Sequence, residues 1–326
     1  MRIGILGAAR IAQRAVIDPA REIGARIVAV AARDPERAKA YAAEHGIEKA
    51  HASYADVLAD PEVDVVYNPL ANSLHGPWNL RAIAAGKHVL SEKPFASNAD
   101  EARTVADAAR ASGLTVVEAF HHVHHPVALR LRELLASGEL GELRRIESHF
   151  RVGAPPDTDP RWQLELAGGA MMDLGCYTLH LQRWLGSSPR IVAARAGERA
   201  GHPGVDEWLE ADLEHADGVT GLAHCHMDAP DFTVSCRLIG TRGEAVAHNA
   251  VLPQLDDRVT VTVDGVERTE HLGTRTTYTY QLEALDKHLR GEQPFPLDLD
   301  DAVEQAELVD AAYTAAGMTP RPVHAQ

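Results

Sequence analysis

The sequence predicts an α/β domain built on a parallel sheet, followed by an α+β domain with a large, mainly antiparallel sheet that is open on one face. In residues 1–120, apolar segments alternate with amphipathic helical patterns, which is typical of a parallel sheet covered on both faces. In residues 121–326, strand-like segments follow one another with turn residues between them, which indicates antiparallel pairing. A chain of 326 residues is also long for a single core, so two domains are expected.

The first domain is predicted from short apolar runs and from helical patterns with one apolar face. We predict strands at 2–6, 25–32, 63–67, 87–90 and 115–119. The predicted helices are one that ends at about 17 and others at 35–45, 74–85 and 98–112.

The second domain begins with a predicted helix at 127–136 and ends with one at 298–316, which starts with acidic residues as a helix dipole favours. We expect this last helix to pack back on the first domain. An open antiparallel sheet between these helices needs its second face covered. The predicted strands lie at 143–152, 191–196, 207–213, 218–227, 233–239, 244–249 and 259–263.

Composition excludes several classes of partner. The formal net charge of −15 argues against nucleic acid and anionic membrane surfaces, because both require a basic patch. Cys176, Cys225 and Cys236 are too few and too scattered for a disulfide framework or a zinc motif. No apolar run is long enough to span a bilayer, and no signal peptide precedes the first strand. These features predict a cytoplasmic protein.

A glycine-poor form of the dinucleotide-binding turn follows the first strand. The pattern G-x-G-x-x-G/A lets the backbone approach a pyrophosphate at a helix N-terminus. Here Gly7 and Ala12 occupy the outer positions, and Ala9 replaces the middle glycine. We predict cofactor contacts by Gly7, Ala9, Arg10 and Ile11, although a plain strand-to-helix turn would also explain the segment.

The two residues after the second strand bear on the choice of dinucleotide. NAD enzymes usually place an acidic residue here for the ribose 2′-hydroxyl, whereas an arginine suits the 2′-phosphate of NADP. The chain has Arg33 followed by Asp34. We therefore predict NADP, with NAD left open by Asp34, and a solvated arginine as the alternative to a cofactor contact.

The segment Ser91-Glu92-Lys93-Pro94 ends the fourth strand, because proline has no N–H to donate to a sheet. Lysine is rare in this chain, which otherwise prefers arginine. Unlike arginine, lysine can lose or share a proton in a partly apolar site, so Lys93 is a candidate for proton chemistry. A solvated Glu92–Lys93 loop pair is the alternative.

With the turn at 7–12, the strand end at 67–75 and Glu92-Lys93-Pro94 in this order, the chain resembles the Gfo/Idh/MocA family of oxidoreductases. The resemblance implies a Rossmann domain in which Pro69, Asn72 and His75 line the nicotinamide. It places Glu92 near the nicotinamide ribose and Lys93 towards the substrate hydroxyl. It also implies a sugar or polyol substrate, and a homodimer or homotetramer formed through the second-domain sheet.

Asp173, Tyr177 and His180 are predicted to share one face of a helix, since they are four and then three residues apart. On the residues alone, Asp173 capping a turn and Tyr177 in the core is an equally simple interpretation. The family's second signature is an Asp followed four residues later by His or Tyr. Tyr at this place resembles the branch that contains glucose-fructose oxidoreductase and dihydrodiol dehydrogenase.

The predicted chemistry is hydride transfer to or from nicotinamide coupled to proton transfer at the substrate oxygen. Tyr177 is the predicted proton-transfer residue. Its phenol, with an ordinary pKa near 10, would be helped by the positive charge of Lys93. Asp173 would orient the substrate or Tyr177, and His180 would bind a second hydroxyl.

Histidine is unusually dense after the fifth strand, at His121, His122, His124 and His125. We predict no metal here, because no carboxylate or thiolate joins these residues at ligand spacing. The resemblance implies that side chains at this junction line the substrate pocket, so His121 or His122 is a candidate substrate contact, with a solvated or structural role as the alternative for each. Arg161 and Trp162, which precede a glycine pair, are further candidate substrate contacts. The alternating His224, His226 and Asp228 are likewise interpreted as interface or pocket residues.

Two other functional classes remain open at this stage. One is a redox-cycling lyase or glycosidase that keeps NAD tightly bound. The other is a ligand sensor on the same fold, since fold does not determine function. A sensor could dispense with Lys93 and Tyr177, and the chain has both.

Overall fold

The computed structural model describes residues 1–323, which form two units. The first contains Met1–Ala119 and Tyr278–Ala306, and the second contains Phe120–Thr277 and Glu307–Pro322. The division therefore falls inside the last helix, Leu299–Ala315, which lies where the sequence predicts a helix. None of the helices in residues 1–323 is long and apolar enough to cross a bilayer.

A six-stranded sheet with every neighbouring pair parallel forms the centre of the first unit, as predicted. The strand order is β3-β2-β1-β4-β5-β6, so the order reverses between β1 and β4. Ligands of open α/β sheets bind at the carboxyl ends of the strands beside such a reversal. The strands are β1 (Arg2–Leu6), β2 (Arg26–Ala31), β3 (Lys49–His51), β4 (Val65–Asn68), β5 (His88–Ser91) and β6 (Val116–Glu118).

The helices of the first unit begin and end on recognisable caps. Asp34 accepts a hydrogen bond from the N–H of Glu36 at 2.9 Å, and the helix that follows ends at Gly46 with a φ of +68°. Short β3 and the helix after it were missed, because neither forms a long apolar or periodic segment. The α-helices are Arg10–Ala12, Asp18–Ile23, Pro35–His45, Tyr54–Ala59, His75–Ala84, Ala99–Ser112 and Thr277–Leu289, with a π-helix at Gln13–Ile17.

The first half of the last helix contributes to the core of the first unit. Ala302 is 2% exposed within the main hydrophobic cluster, and Leu299, Val303 and Ala306 pack against that cluster. The helix thus supplies apolar area to a core made mostly by residues near the other end of the chain.

An eight-stranded sheet dominates the second unit, in the order β14-β13-β12-β11-β7-β10-β9-β8. Every pair is antiparallel except β7 with β10, so the predicted mainly antiparallel sheet is confirmed. A parallel pair requires a long connection, and a long helical segment and two strands separate β7 from β10. The strands are β7 (Leu143–Arg151), β8 (Arg190–Glu198), β9 (Asp206–Glu214), β10 (Thr220–His226), β11 (Thr233–Gly240), β12 (Gly243–Ala247), β13 (Arg258–Val263) and β14 (Val266–His271).

One face of this sheet is covered by a helical segment that changes type along its length. Met171–Gly175 is π-helical and Cys176–Leu185 is α-helical. At Gly175 an added Cβ would lie 2.8 Å from Cys225 Sγ on β10, so glycine permits the close approach of helix and strand. The helix Pro126–Ala136 buries Leu131 and Leu134 in the same unit.

Asp60 makes the stability of the first unit depend on pH in the acidic range. Its buried carboxylate accepts the N–H of Glu62 at 2.9 Å and lies 2.9 Å from His51 Nε2 and 3.0 Å from Lys49 Nζ. These contacts hold the pKa of Asp60 well below its ordinary value. A depressed folded-state pKa stabilises the protein above the unfolded pKa of about 3.9, and this contribution is lost as the pH falls.

We therefore expect Asp60→Asn to flatten the decline in the free energy of unfolding below about pH 5, measured by urea titration at several pH values. The exposed Asp100→Asn is the matched control and should leave the slope as in the wild type. An Asp60→Asn slope equal to that of the wild type would contradict this account.

Candidate functional site

The turn between β1 and the first helix has the geometry of a phosphate-binding turn. Gly7 has a φ of +98°, and an added Cβ would lie 3.1 Å from the Leu70 side chain. The helical segment that follows starts at Arg10 with Ala9 as its N-cap, and no side chain in residues 1–323 caps it. The N–H of Ala9 donates to the carbonyl of Gly7 at 2.9 Å, so the N–H groups of Arg10 and Ile11 are the ones that face an anion, and Ala9 adds only a methyl group. A dinucleotide pyrophosphate fits this turn.

The outer side of the turn is held by two residues that sequence reasoning missed. Arg37 donates to the carbonyl of Ala8 at 2.7 Å, and Tyr41 donates its hydroxyl to the carbonyl of Ala9 at 3.0 Å. The two side chains are four residues apart on one helix, so they reach the turn from the same face. The four-residue spacing of Arg37 and Tyr41 is visible in the sequence, but the carbonyl groups that they contact are not.

Of the two residues after β2, Asp34 caps a helix, whereas Arg33 is an exposed side chain. Asp34 is the N-cap of the next helix, so one carboxylate oxygen is already used by the N–H of Glu36. Arg33 is exposed and lies near Tyr54, as does Arg37. Burial raises the pKa of Tyr54 against these two positive charges, so its hydroxyl stays neutral. Arg33 and Arg37 thus place two positive charges near the Tyr54 hydroxyl, which suits a 2′-phosphate.

The ends of β4 and β5 are joined by a buried polar network. Asn68 donates to Asn79 Oδ1 at 2.8 Å, and Asn79 donates to Ser91 Oγ at 2.9 Å. Two further predicted cofactor residues lie beside this network: Pro69 is buried, and Asn72 begins a partly exposed 3-10 turn. Their contacts with nicotinamide stay predictions.

His75 is 1% exposed and bridges two backbone segments. Its Nδ1 lies 2.7 Å from the carbonyl of Pro94, and its Nε2 lies 2.9 Å from the carbonyl of Leu70. The carbonyls favour the protonated ring, but burial outweighs them and lowers the pKa of His75 to about 4. The contact with the Pro94 carbonyl positions the segment after Lys93, and the predicted place of His75 beside nicotinamide stays a prediction.

Glu92 and Lys93 follow β5 as the sequence predicts, but Glu92 is not a solvated loop residue. It is 8% exposed and accepts the Tyr67 hydroxyl at 2.6 Å. Burial raises the pKa of Glu92, against the nearby positive charges of Lys93 and Arg14. The Lys93–Pro94 peptide is cis.

Tyr278 was not predicted for this cluster. Burial and the charge of Glu92 raise the pKa of Tyr278 to about 12, while Arg14 and Lys93 act in the opposite direction. Tyr278 lies in the helix Thr277–Leu289, nearly two hundred residues after Glu92, so its proximity to Glu92 could not be predicted from spacing in the sequence.

In the second unit, Tyr177 is 5% exposed and its hydroxyl lies 2.9 Å from His121 Nε2. The Phe120 ring meets the Tyr177 ring edge-on, with centroids 5.4 Å apart, and His122 packs against it at 5.6 Å. The phenol ring is therefore held by aromatic contacts while its hydroxyl is held by an imidazole.

His122 is fully buried, and neither ring nitrogen has a hydrogen-bond partner among residues 1–323. Burial, together with His180, His121 and His124, lowers the pKa of His122 well below its ordinary value, so the ring is neutral. A neutral imidazole still carries one N–H and one acceptor nitrogen. An unsatisfied pair of this kind beside Tyr177 suits a hydroxyl group of a ligand.

His180 shares ring neighbours with Tyr177, whereas Asp173 contacts a different residue. His180 stacks on Phe120 with ring centroids 4.0 Å apart and lies 5.2 Å from the His122 ring, and Asp173 lies 3.3 Å from Arg161 Nη1. Tyr177 and His180 lie in the α-helix Cys176–Leu185, but Asp173 lies in the π-helix Met171–Gly175, where the four-residue rule of an α-helix does not apply. A face common to all three side chains stays a prediction.

Arg161 and Trp162 are anchored within the second unit. Arg161 donates to both oxygens of Asp159, at 2.9 and 3.1 Å. Trp162 is 1% exposed and donates its indole N–H to the carbonyl of Pro155 at 3.2 Å. Trp162 is thus a core residue, and contact of either side chain with substrate stays a prediction.

His224 and His226 lie on strand β10, beside His149 on its neighbour β7. His224 pairs with His149 across these strands, with ring centroids 5.8 Å apart. In residues 1–323, no group of three His, Cys, Asp or Glu side chains is arranged to hold a metal ion.

Comparison with known proteins matches both units. Residues 1–120 match the family model described as "Oxidoreductase family, NAD-binding Rossmann fold", and residues 128–246 match the "GFO/IDH/MocA C-terminal domain". The chain is similar to D-xylose 1-dehydrogenase (NADP(+)) 2 of Haloferax volcanii, at 36% identity over 97% of each chain. It is 32% identical to the dTDP-3,4-didehydro-2,6-dideoxy-alpha-D-glucose 3-reductase of Streptomyces violaceoruber, over 97% of this chain and 95% of the relative.

Solved structures agree with these matches. KijD10, a 3-ketoreductase from Actinomadura kijaniata in complex with NADP and TDP-benzene, superposes with a TM-score of 0.90 at 29% identity over 97% of both chains. The fold, the family models and the full-length relatives are consistent with one another. The chain therefore belongs to the Gfo/Idh/MocA family of oxidoreductases.

Proposed function

We propose that this chain is an NADP-dependent dehydrogenase or reductase that interconverts a hydroxyl and a carbonyl group on a sugar or polyol. The observation that carries the proposal is the buried Tyr177 hydroxyl held by His121, next to the unpartnered nitrogens of His122. A phenol and an imidazole in such a setting can move a proton and bind hydroxyl groups. Residues 1–120 would bind the dinucleotide, and residues 121–326 the substrate.

Each residue has a distinct role in this proposal. Gly7, Ala9 and the following N–H groups would hold the pyrophosphate of the dinucleotide, whose nicotinamide supplies the redox chemistry when bound. Tyr177 transfers the proton at the substrate oxygen, and Lys93 polarises that oxygen. Asp173 and His180 orient the substrate through its other hydroxyl groups.

The charge around Arg161 favours an uncharged substrate over a sugar nucleotide. Its guanidinium contacts the carboxylates of Asp159 and Asp173, so its positive charge is already balanced. The relatives above include both kinds of enzyme, one named for D-xylose and one for a dTDP-linked sugar. We therefore propose a free aldose or polyol.

A substrate and cofactor panel tests this function. The purified protein is mixed with free aldoses, polyols, their keto derivatives and TDP-linked sugars, each with NADP, NADPH, NAD and NADH, and absorbance at the nicotinamide band is followed. We expect turnover with a free sugar and an NADP-type cofactor. Turnover only with nucleotide sugars would contradict the proposed substrate class. Cofactor that survives desalting and needs no external partner would instead support the redox-cycling class.

Arg33 is expected to determine the preference for NADP. Loss of a hydrogen bond to a charged group costs roughly 1.5–3 kcal/mol, which corresponds to roughly 10- to 150-fold in affinity. We expect Arg33→Ser to weaken NADP binding by this factor and to leave NAD binding nearly unchanged, measured by fluorescence titration. Arg26→Ser, at the other end of β2, is the control and should change neither affinity. An equal loss for both dinucleotides would contradict the assignment.

We also propose that the protein forms a homodimer through the open face of its second sheet and works in a reducing compartment such as the cytoplasm. On β7, Glu147, His149 and Arg151 are half-buried, while the intervening residues are buried on the other face. The half-buried side chains carry both signs of charge, which suits a second copy of the same surface. Cys176, Cys225 and Cys236 are buried, and no disulfide joins them in residues 1–323.

We expect light scattering at micromolar concentration to give about twice the chain mass of 35.2 kDa. Glu147→Arg would place like charges on this face and should shift the distribution towards monomer. A wild-type protein that is strictly monomeric at this concentration would contradict the dimer.

A further inference from the structure

The contact between His121 Nε2 and the Tyr177 hydroxyl offers a route for proton transfer. We propose that His121 is a positioning residue that accepts the phenol proton of Tyr177, so that the two side chains form a proton relay. This inference rests on the proposed function of Tyr177 and extends it to a residue outside the Asp–Tyr signature.

The geometry meets the requirement for direct transfer. His121 opens the 3-10 turn His121–His124, and Tyr177 lies in the first turn of the helix Cys176–Leu185. The 2.9 Å between Nε2 and the hydroxyl oxygen is within the range for proton transfer without a bridging water. His121 is 1% exposed and Tyr177 is 5% exposed, so bulk water is a poor competitor for the bond.

A phenol by itself is a poor proton acceptor at neutral pH, and a relay through His121 removes this limitation. To take a proton from a substrate hydroxyl, the phenol must give up its own, and its ordinary pKa is near 10. An imidazole, with an ordinary pKa near 6.5, is the better proton acceptor at neutral pH. Transfer of both protons in one step leaves Tyr177 neutral and places the positive charge on the imidazole of His121.

Protons and electrons are conserved in both directions of the reaction. In oxidation, the substrate O–H bond breaks and its proton moves to Tyr177, while the Tyr177 proton moves to His121 Nε2. The substrate carbon loses a hydride to the oxidised nicotinamide cofactor as its C=O bond forms. In reduction, the proton on His121 returns through Tyr177 to the carbonyl oxygen.

Two titratable rings contact His121. They are Tyr177, at the hydrogen bond, and His122, with ring centroids 6.3 Å apart. Burial, together with His180 and His124, lowers the pKa of His122 and keeps its ring neutral. His122 is thus left to bind a substrate hydroxyl while His121 accepts the proton.

The first test reads the tautomer of His121 in the protein without cofactor. Nitrogen-15 NMR of histidine-labelled protein distinguishes a bare Nε2, which accepts the phenol proton, from a protonated Nε2, which donates to the phenol oxygen. We expect a bare Nε2 whose shift changes in Tyr177→Phe. A protonated Nε2 at neutral pH would overturn the relay whatever the activity of the enzyme.

The second test separates proton acceptance from simple positioning. Glutamine can hold the phenol but cannot take its proton, so we expect His121→Gln to lower kcat for oxidation roughly 10²-fold, with KM nearly unchanged. The acidic limb of the kcat–pH profile, where a protonated His121 cannot accept, should disappear. Added imidazole should restore activity to His121→Ala.

His248→Gln is the matched control, because His248 Nε2 also lies 2.9 Å from a hydroxyl, that of Thr260 in the same unit. It should leave kcat and the pH profile unchanged. A His121→Gln enzyme with wild-type kcat and an intact acidic limb would overturn the relay. Failure of the proposed function is distinguishable, because then wild type shows no sugar turnover while the tautomer test still gives its answer.

Discussion

Replacing Tyr177 with phenylalanine is expected to reduce turnover roughly 10²- to 10⁴-fold, the range typical for removal of a general acid or base. The substitution removes one hydroxyl from a ring that Phe120, His122 and Phe150 hold by ring contacts, so the ring should stay in place. KM and NADP affinity should change little, because the lost interaction acts at the substrate oxygen in the transition state. Steady-state kinetics with the best substrate of the panel, together with fluorescence titration of NADP, measure both quantities.

Two further variants decide how this result is interpreted. Tyr280→Phe removes a hydroxyl from a half-buried tyrosine of the first unit and should keep turnover within a factor of two or so of wild type. Lys93→Met should cause a loss comparable to that of Tyr177→Phe with NADP binding retained. Near-normal turnover in Tyr177→Phe would remove the phenol from the mechanism, and near-normal turnover in Lys93→Met would do the same for the ammonium.

Replacing Arg321 with methionine is expected to destabilise the second unit by about 3–5 kcal/mol, the cost of leaving a buried charge without its partner. Arg321 is 1% exposed and pairs with Asp206, which is 0% exposed. Asp206 would keep the Tyr313 hydroxyl at 2.9 Å and the N–H of Met171 at 2.6 Å, but it would lose its counter-ion. Urea unfolding followed by circular dichroism gives the free energy.

The same pair holds the glycine turn that leads into the helical segment of Tyr177. Arg321 Nε donates to the carbonyl of Gly168 at 2.6 Å. At Gly169, whose φ is +124°, an added Cβ would lie 1.9 Å from Asp206 Oδ1. Hydrogen exchange in Arg321→Met should therefore show reduced protection from Gly168 to Tyr177, before any global unfolding.

Arg290→Met provides the control for a lost ion pair at the surface. Arg290 is 55% exposed and pairs with Asp286 and Glu292, so its removal should cost less than about 1 kcal/mol. An Arg321→Met protein as stable as this control, with unchanged exchange near Gly168, would show that the buried pair contributes little to the unit.

Local patterns in the sequence were enough to predict the parallel sheet, the mainly antiparallel sheet and the motifs that identify the family. Burial on both faces forces continuous apolar runs in the strands, and capping requires residues such as Asp34 beside the helix it begins. Lys93 and Tyr177 were predicted as site residues in the same way, because each lies within a short motif. Arg33 was predicted because its position follows directly from the end of β2.

Which side chains contact one another was decided by the tertiary structure. His121 and Tyr177 are 56 residues apart, and Asp206 and Arg321 are 115 apart, so no local spacing relates them. Asp173 also lies in a π-helix, Met171–Gly175, although its spacing from Tyr177 in the sequence suits an α-helix. The chain by itself determined which chemical groups are present and in which elements. Which groups meet was decided only by folding, because strand order and helix packing bring together residues that are remote in the sequence.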